Sequence, residues 1–333
     1  MSQETSVDPK VTETTEPSSR SKIALDRLIT LGALIFLFAV FSVTAKNFFT
    51  VRSVLTLLLQ TSTVTLMGIG VTFVIITAGI DLSIGSVIAL TGTAAVMAAN
   101  AGIPIWASMI VGLLTGVVTG LINGLLITKL KLPPFIATLG MMMVVRGVAL
   151  TITNAYSMPA PEAFGALGNN TIFAAGQKFP GIAYPVIIMV IAAVIFHYIL
   201  RWTRIGRYTY AIGSNEEAAR LSGIKINRVK IITYIICGFL TAVSGIILAS
   251  RLVTSQPNGG VGYELNAIAA AVIGGTSLMG GVGTVGGTVI GSFIMGVLTV
   301  GLTMAGANYF MQQIVIGLVV IGAVAFDQLR SHK

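Results

Sequence analysis

No acidic or basic residue occurs between Leu82 and Thr128, or again between Leu265 and Phe326. Uncharged apolar runs of that length read as membrane spans, because a hydrocarbon core about 30 Å thick takes about 20 apolar residues per helix. A water-soluble core of this size would need amphipathic helices with a charged outer face, and soluble domains carry about 25% charged residues. This chain of 333 residues is only 9% charged and 55% hydrophobic, with mean hydropathy +0.92. The soluble reading is excluded, and the fold class predicted is an all-α polytopic membrane protein.

Cutting the chain wherever charge, proline or polar clusters recur gives ten spans, with eight or nine as alternatives. They fall near 28–45, 55–78, 84–100, 105–128, 133–153, 182–200, 231–250, 265–281, 285–305 and 309–326, and the eighth and ninth can also be drawn as one interrupted re-entrant unit. Orientation follows from Lys and Arg, since short positively charged loops stay cytoplasmic. With the N-terminus inside, the inner segments collect Lys10, Arg20, Lys22, Arg27, Lys129, Lys131, the seven cations from Arg201 to Lys230, Arg330 and Lys333. The outer side keeps Lys46, Arg52, Lys178 and Arg251. Both termini are therefore expected in the cytoplasm. The net charge of +9 is accounted for by this topology, which leaves no basic stripe for nucleic acid.

Residues 1–22 are rich in Ser, Thr, Glu and Pro and nearly free of apolar groups. A disordered cytoplasmic tail is expected there, because such a segment cannot bury enough surface to offset its ordering entropy. It is not expected to be a cleaved signal peptide, since the apolar run that follows is of spanning length and has no A-x-A site directly after it. Residues 23–333 then form one transmembrane domain. Cys237 is the single cysteine, so no disulfide framework exists within one chain.

The charged groups in or beside the spans are Asp81, Arg146 and Glu264. Proton and ion carriers use chains of Asp, Glu and His at that depth, and with His197 at a membrane edge and His332 in the tail neither such a relay nor a metal site is expected. Arg146 needs a partner, for which Asp81 or Glu264 could serve. Gly112, Gly116, Gly120 and Gly124 recur every fourth residue, and Gly283, Gly287 and Gly291 repeat the pattern. Such stripes let helix backbones approach closely in lipid and are read as packing faces in preference to mobile walls of a pathway.

GIDLSIGS at 79–86 interrupts an apolar stretch and is echoed by GTSLMGG at 275–281. Two broken or re-entrant helices are predicted, as in transporters whose broken helices line a cavity. Gly79, Asp81, Ser83 and Gly85 mark the first break; Gly275, Thr276 and Ser277 mark the second, with Glu264 and Asn266 on the approach to it. Asp81 and Ser83 are expected to cap the helix beginning near Ile84, which serves the break more economically than direct contact with a substrate.

The segment 201–230, RWTRIGRYTYAIGSNEEAARLSGIKINRVK, holds a short helix. Ser214 or Asn215 supplies its N-cap, Glu216 and Glu217 lie in the first turn, Ala218, Ala219, Arg220 and Leu221 propagate it, and Gly223 ends it. Glu217, Ala218, Ala219 and Gly223 meet an EAAxxxG pattern that resembles the loop by which permease subunits of ABC importers dock onto their ATPase. Together with GIDLSIGS, PPFIATLGMMMVVRGV, TRIGRYTYAIGSNEEAARLSGI and GYELNAIAAAVIGGTSLMGG, it makes the chain after residue 22 similar to the ribose-type monosaccharide permeases.

That resemblance implies an inner-membrane subunit, a homodimer, working with a cytoplasmic ABC ATPase and a periplasmic sugar-binding protein. It implies translocation of a monosaccharide, ribose first, by alternating access that the ATPase drives through the docking helix. One departure stands out: importer loops commonly continue into an I-x-LP element, and here KINRVKIITY has no proline. No G-x-x-x-x-G-K-[ST] phosphate loop occurs, so the chain is not expected to be an enzyme or to bind a cofactor, ATP being used by the partner. Thr72, Thr77, Ser83, Ser86, Asn123, Asn266, Thr276 and Ser277 are the span residues able to hydrogen-bond a passing sugar, most of them read as interhelical glue. No aromatic platform for a sugar ring is evident. A secondary transporter would share the spans and breaks but would place ionisable groups at the midplane and need no docking helix. A channel would need a ring of charges or carbonyls.

Overall fold

The computed structural model describes residues 19–174 and 180–331. Of the tail expected over 1–22, residues 1–18 lie outside the described residues, and helix begins at Ser19. The apolar runs form α1 (Ser19–Thr44), α2 (Val51–Ile76), α3 (Ile84–Asn100), α4 (Ile105–Thr128) and α5 (Pro134–Thr153). After a connection containing the short α6 (Ala166–Asn169) come α7 (Tyr184–Trp202), α8 (Arg204–Ser214), α9 (Glu216–Leu221) and α10 (Ile226–Leu252). The chain closes with α11 (Tyr263–Ile273), α12 (Val285–Met304) and α13 (Tyr309–Ser331). Local signals set the starts. Thr50 and Thr284 accept from the backbone N–H three residues on, and Pro134 occupies the first position of α5, where a missing N–H costs nothing.

Six of these, α2, α4, α5, α7, α10 and α12, are long and apolar enough to cross a membrane, and shorter apolar stretches occupy 30–44, 84–100, 263–273 and 309–325. This is the all-α polytopic architecture expected. The eighth span is corrected: helix was expected over 265–281, but α11 ends at Ile273. Its 11 residues rise about 16 Å, half the hydrocarbon thickness. Gly275 stops it by taking φ +86°, a left-handed conformation that other residues adopt at a cost. The interrupted α11–α12 unit is the alternative that the structure adopts.

α10 stands at the centre, packed against α2, α3 and α4. Its approach to α4 is close enough that a Cβ on Gly116 would lie 2.5 Å from the Gly238 carbonyl, and one on Gly124 2.9 Å from the Cα of Ile231. Gly287 and Gly291 bring α12 equally close to the backbone of α11 at Gly274 and Ala270. Both glycine stripes are therefore packing faces, each against a different helix. At the end of the bundle where α10 finishes, two-residue strands β1 (Met158–Pro159), β2 (Thr171–Ile172), β3 (Ile182–Ala183) and β4 (Thr254–Ser255) pair antiparallel as β1 with β4 and β2 with β3.

Candidate functional site: the helix breaks and the coupling segment

α2 ends without a glycine in the left-handed position: Ala78 takes φ +57°, with the N–H of Gly79 donating back to the Val74 carbonyl at 3.1 Å. Gly79 is small for another reason, since a Cβ there would sit 2.7 Å from the Tyr234 hydroxyl of α10. Asp81 is 2% exposed. Its Oδ1 accepts from the Ser83 N–H at 2.9 Å and from the Ser83 hydroxyl at 2.6 Å. The capping expected at Ile84 thus takes a different form. Ser83 is the N-cap residue but makes no side-chain cap bond of its own, because its hydroxyl is committed to Asp81. The carboxylate fixes the turn that enters the helix, with Asn123 of α4 donating to the Ser83 hydroxyl at 2.9 Å. The Ile80 carbonyl, left bare by the break, accepts from Thr138 of α5 at 3.2 Å.

The second break lies against the first. The Gly281 N–H donates to the Ile76 carbonyl at the end of α2, 2.9 Å away, and a Cβ on Gly280 would meet Ala78 at 3.0 Å. α8 closes over both. Tyr210 donates its hydroxyl to the Gly283 carbonyl at 2.6 Å, and Gly213 has no room for a side chain between the Ile76 carbonyl and the Gly281 backbone. The two sequence echoes are therefore one assembly, to which the segment 201–230 is directly attached. Gly275 supplies the turn, Thr276 is wholly buried beside Gly283, and the Ser277 N–H donates to the Val282 carbonyl.

In the coupling segment Asn215 is the N-cap, its Oδ1 accepting from the Ala218 N–H at 2.9 Å, while Ser214 ends α8. Glu216 pairs with Lys230 of α10 at 2.7 Å and with Arg220 at 3.1 Å. The Lys230 ammonium beside Glu216 holds its carboxyl below the usual carboxylate range. Gly223 takes φ +81° and ends α9 as expected of a helix-terminal glycine. Ala219 of the EAAxxxG pattern does not stand on the outer face of α9: it is 4% exposed and packs with Ile212, Ile226 and Val229. Glu217, Ala218 and Arg220 face outward, and beside them Leu221 is 84% exposed. Leu221 was read only as a helix former, because nothing in a six-residue helix tells which side its partners will cover. Ala219→Glu should accordingly destabilise the segment itself, since an unpaired charge would enter an apolar cluster. Trypsin should cut within 201–230 far faster in the variant than in the parent, and equal rates would disprove the packing role.

Arg146 finds neither carboxylate. Its Nη1 donates to the carbonyls of Pro257 and Gly259, both at 2.7 Å, and its Nη2 to that of Gly85 at 3.3 Å. Carbonyls outside regular helix have free lone pairs, so an irregular loop solves the problem of a guanidinium at this depth. Glu264 accepts from the Gly262 N–H and lies near enough to Arg146 to attract it without forming an ion pair. Gly85 is pressed between Glu264 and the Gly260 carbonyl, so the loop before α11 reaches the start of α3. Asn266 lies apart from the breaks, in the wall of a cavity of about 400 Å³ bounded by α2, α10, α11 and α12. Thr72 is interhelical glue, sharing a hydrogen bond with Thr288 of α12 at 2.6 Å.

Helices of spanning length, two interlocked helix breaks and a polar segment gripping both are the build of a multi-pass membrane protein. Residues 53–324 match the family described as branched-chain amino acid transport system / permease component, and the chain belongs to that family. Among curated relatives it is 43% identical to the ribose import permease protein RbsC of Escherichia coli (strain K12), over 90% of this chain and 93% of that one. It is 44% identical to the protein of the same name from Bacillus subtilis (strain 168), over 90% and 91%, and 37% identical to the D-allose transport system permease protein AlsC of E. coli (strain K12), over 92% and 93%.

Proposed function

We propose that the chain is the translocation subunit of a monosaccharide importer of the ABC type, with ribose as its substrate, in a bacterial inner membrane. The observation that carries the mechanism is the attachment of α8 to both helix breaks through Tyr210 and Gly213. A cytoplasmic ATPase seated on α9 moves α8 and α9 together, because Ala219 and Ile212 share one apolar cluster with the start of α10. That movement reaches the ends of α2 and α11 and the start of α12 with no flexible linker between. Alternating access follows when the packed helices tilt about these breaks. The chain supplies no nucleotide-binding loop and binds no cofactor; ATP is consumed in the partner. A periplasmic sugar-binding protein delivers the solute, a second copy of the permease completes the unit, and lipid covers the exposed apolar faces.

The Lys and Arg distribution supports a topology with both termini, Lys131 and Ser214 inside and Gly102 outside. Reporter fusions at these positions should give cytoplasmic signals for Lys131 and Ser214 and a periplasmic signal for Gly102; an outer Ser214 would overturn the topology. The function itself is tested by uptake of labelled D-ribose into proteoliposomes. It should require the ATPase and ATP. Uptake that persists without ATP and collapses with the proton gradient would establish a secondary transporter instead.

A further inference from the structure

We propose that the cavity bounded by α2, α10, α11 and α12 is a binding site for a neutral polyhydroxylated solute, a monosaccharide presenting vicinal hydroxyls. It rests on the importer reading for the identity of the sugar and on geometry for everything else. The cavity lies at the end of the bundle opposite α8 and α9, and about 400 Å³ is within the range of small-molecule sites. Gln60 of α2, Arg251 of α10, Gln256 of the following loop, and Tyr263 and Asn266 of α11 all line it. None of these five side chains makes a hydrogen bond or ion pair with another described residue; Gln60 and Gln256 are exposed, Arg251, Tyr263 and Asn266 are half-buried, and in the same wall the fully buried hydroxyls of Thr61 and Thr63 also have no hydrogen-bond partner among the described residues.

Polar groups inside a membrane protein are costly unless satisfied, and those that converge unpaired on a cavity mark a solute pathway. Their chemistry suits a sugar. Each carboxamide offers two donors and an acceptor, the guanidinium offers a planar fork of donors, and a hydroxyl both gives and takes a hydrogen bond. Tyr263 is the one aromatic lining residue and provides an apolar face for the C–H side of a ring. Four of the five groups are uncharged, which favours a neutral polyol over an anion. Gly259 and Gly260 form part of the wall; Gly259 is held by Arg146, and Gly260 rests on Gly85 at the start of α3. The loop that walls the cavity therefore rests directly on the start of α3.

The test uses a cysteine at the cavity edge, with the native Cys237 buried and out of reach of reagent. Leu252 lines the cavity and is 47% exposed. The complete transporter carrying Leu252→Cys, in proteoliposomes, is labelled with a membrane-impermeant maleimide. D-ribose at twice its dissociation constant should slow labelling about threefold. Adding Asn266→Ala and Gln256→Ala should abolish that protection, and a control Ile103→Cys at the same end of the bundle should show none. Labelling indifferent to D-ribose at every concentration overturns the proposal. So does protection that survives both alanine substitutions, or protection by D-gluconate without protection by D-ribose, which would make this an anion site. ATP-driven uptake by the same protein decides the importer reading separately: uptake without protection removes the cavity site alone, and protection without uptake removes the importer alone.

Discussion

Leu221→Asp should leave the permease in the membrane at its normal level while detaching the ATPase and abolishing ATP-driven sugar uptake. At 84% exposure Leu221 supports nothing within its own chain, so its replacement should change stability within about 0.5 kcal/mol. A large apolar side chain standing on a polar segment is instead the kind of group that fills a pocket on a partner. Such anchors contribute about 2 kcal/mol or more to an interface, a loss of roughly 30-fold in affinity, and an aspartate adds the cost of desolvating a charge. Co-purification of the ATPase in mild detergent and uptake should fall together. A variant that keeps its ATPase and full uptake would show that α9 docks through another face. Ala219→Glu, two residues away, is distinguished by its protease sensitivity, because it disturbs the segment from within.

The second large effect is expected at Asp81, where leucine and asparagine should part company. Asp81→Leu strands the Ser83 N–H and hydroxyl in a buried turn, at about 1–3 kcal/mol for each unsatisfied donor. Set against net stabilities of about 5–15 kcal/mol, that is enough to reduce membrane abundance and transport severely. Asp81→Asn keeps a carbonyl oxygen where Oδ1 stands and should retain most uptake. The measurement is uptake normalised to membrane level for both variants. Equal damage from Asn and Leu would show that the negative charge itself is used in transport and that the turn is secondary.

Much of this is legible in the sequence. Span positions are dictated by solvent: in lipid every backbone group must be satisfied within a helix, so apolar run length and the polar residues between runs locate the helices directly. The N-cap of α9, narrowed by the sequence to Ser214 or Asn215, and the stop that Gly223 imposes after it rest on local hydrogen bonding and a left-handed φ, and so are legible too. The family followed from long motifs. What failed locally was the length of α11: GGTSLMGG is apolar enough to continue a span, and only the backbone turn at Gly275 cuts it short.

The sequence by itself determined the class of fold, most helix positions, the two breaks and the short helix within the polar segment 201–230, because each depends on hydropathy or on neighbours within a few residues. Tertiary structure alone decided that the breaks interlock, that α8 grips both, that Ala219 points in while Leu221 points out, and that Arg146 is held by carbonyls of a loop 111–113 residues away. It also decided that Gln60, Arg251, Gln256, Tyr263 and Asn266 share one cavity. The physical reason is the packing of α10 against α2, α3 and α4: close helix approach at glycines sets which faces meet, and that choice depends on pairs of residues too far apart in sequence for local pattern to register.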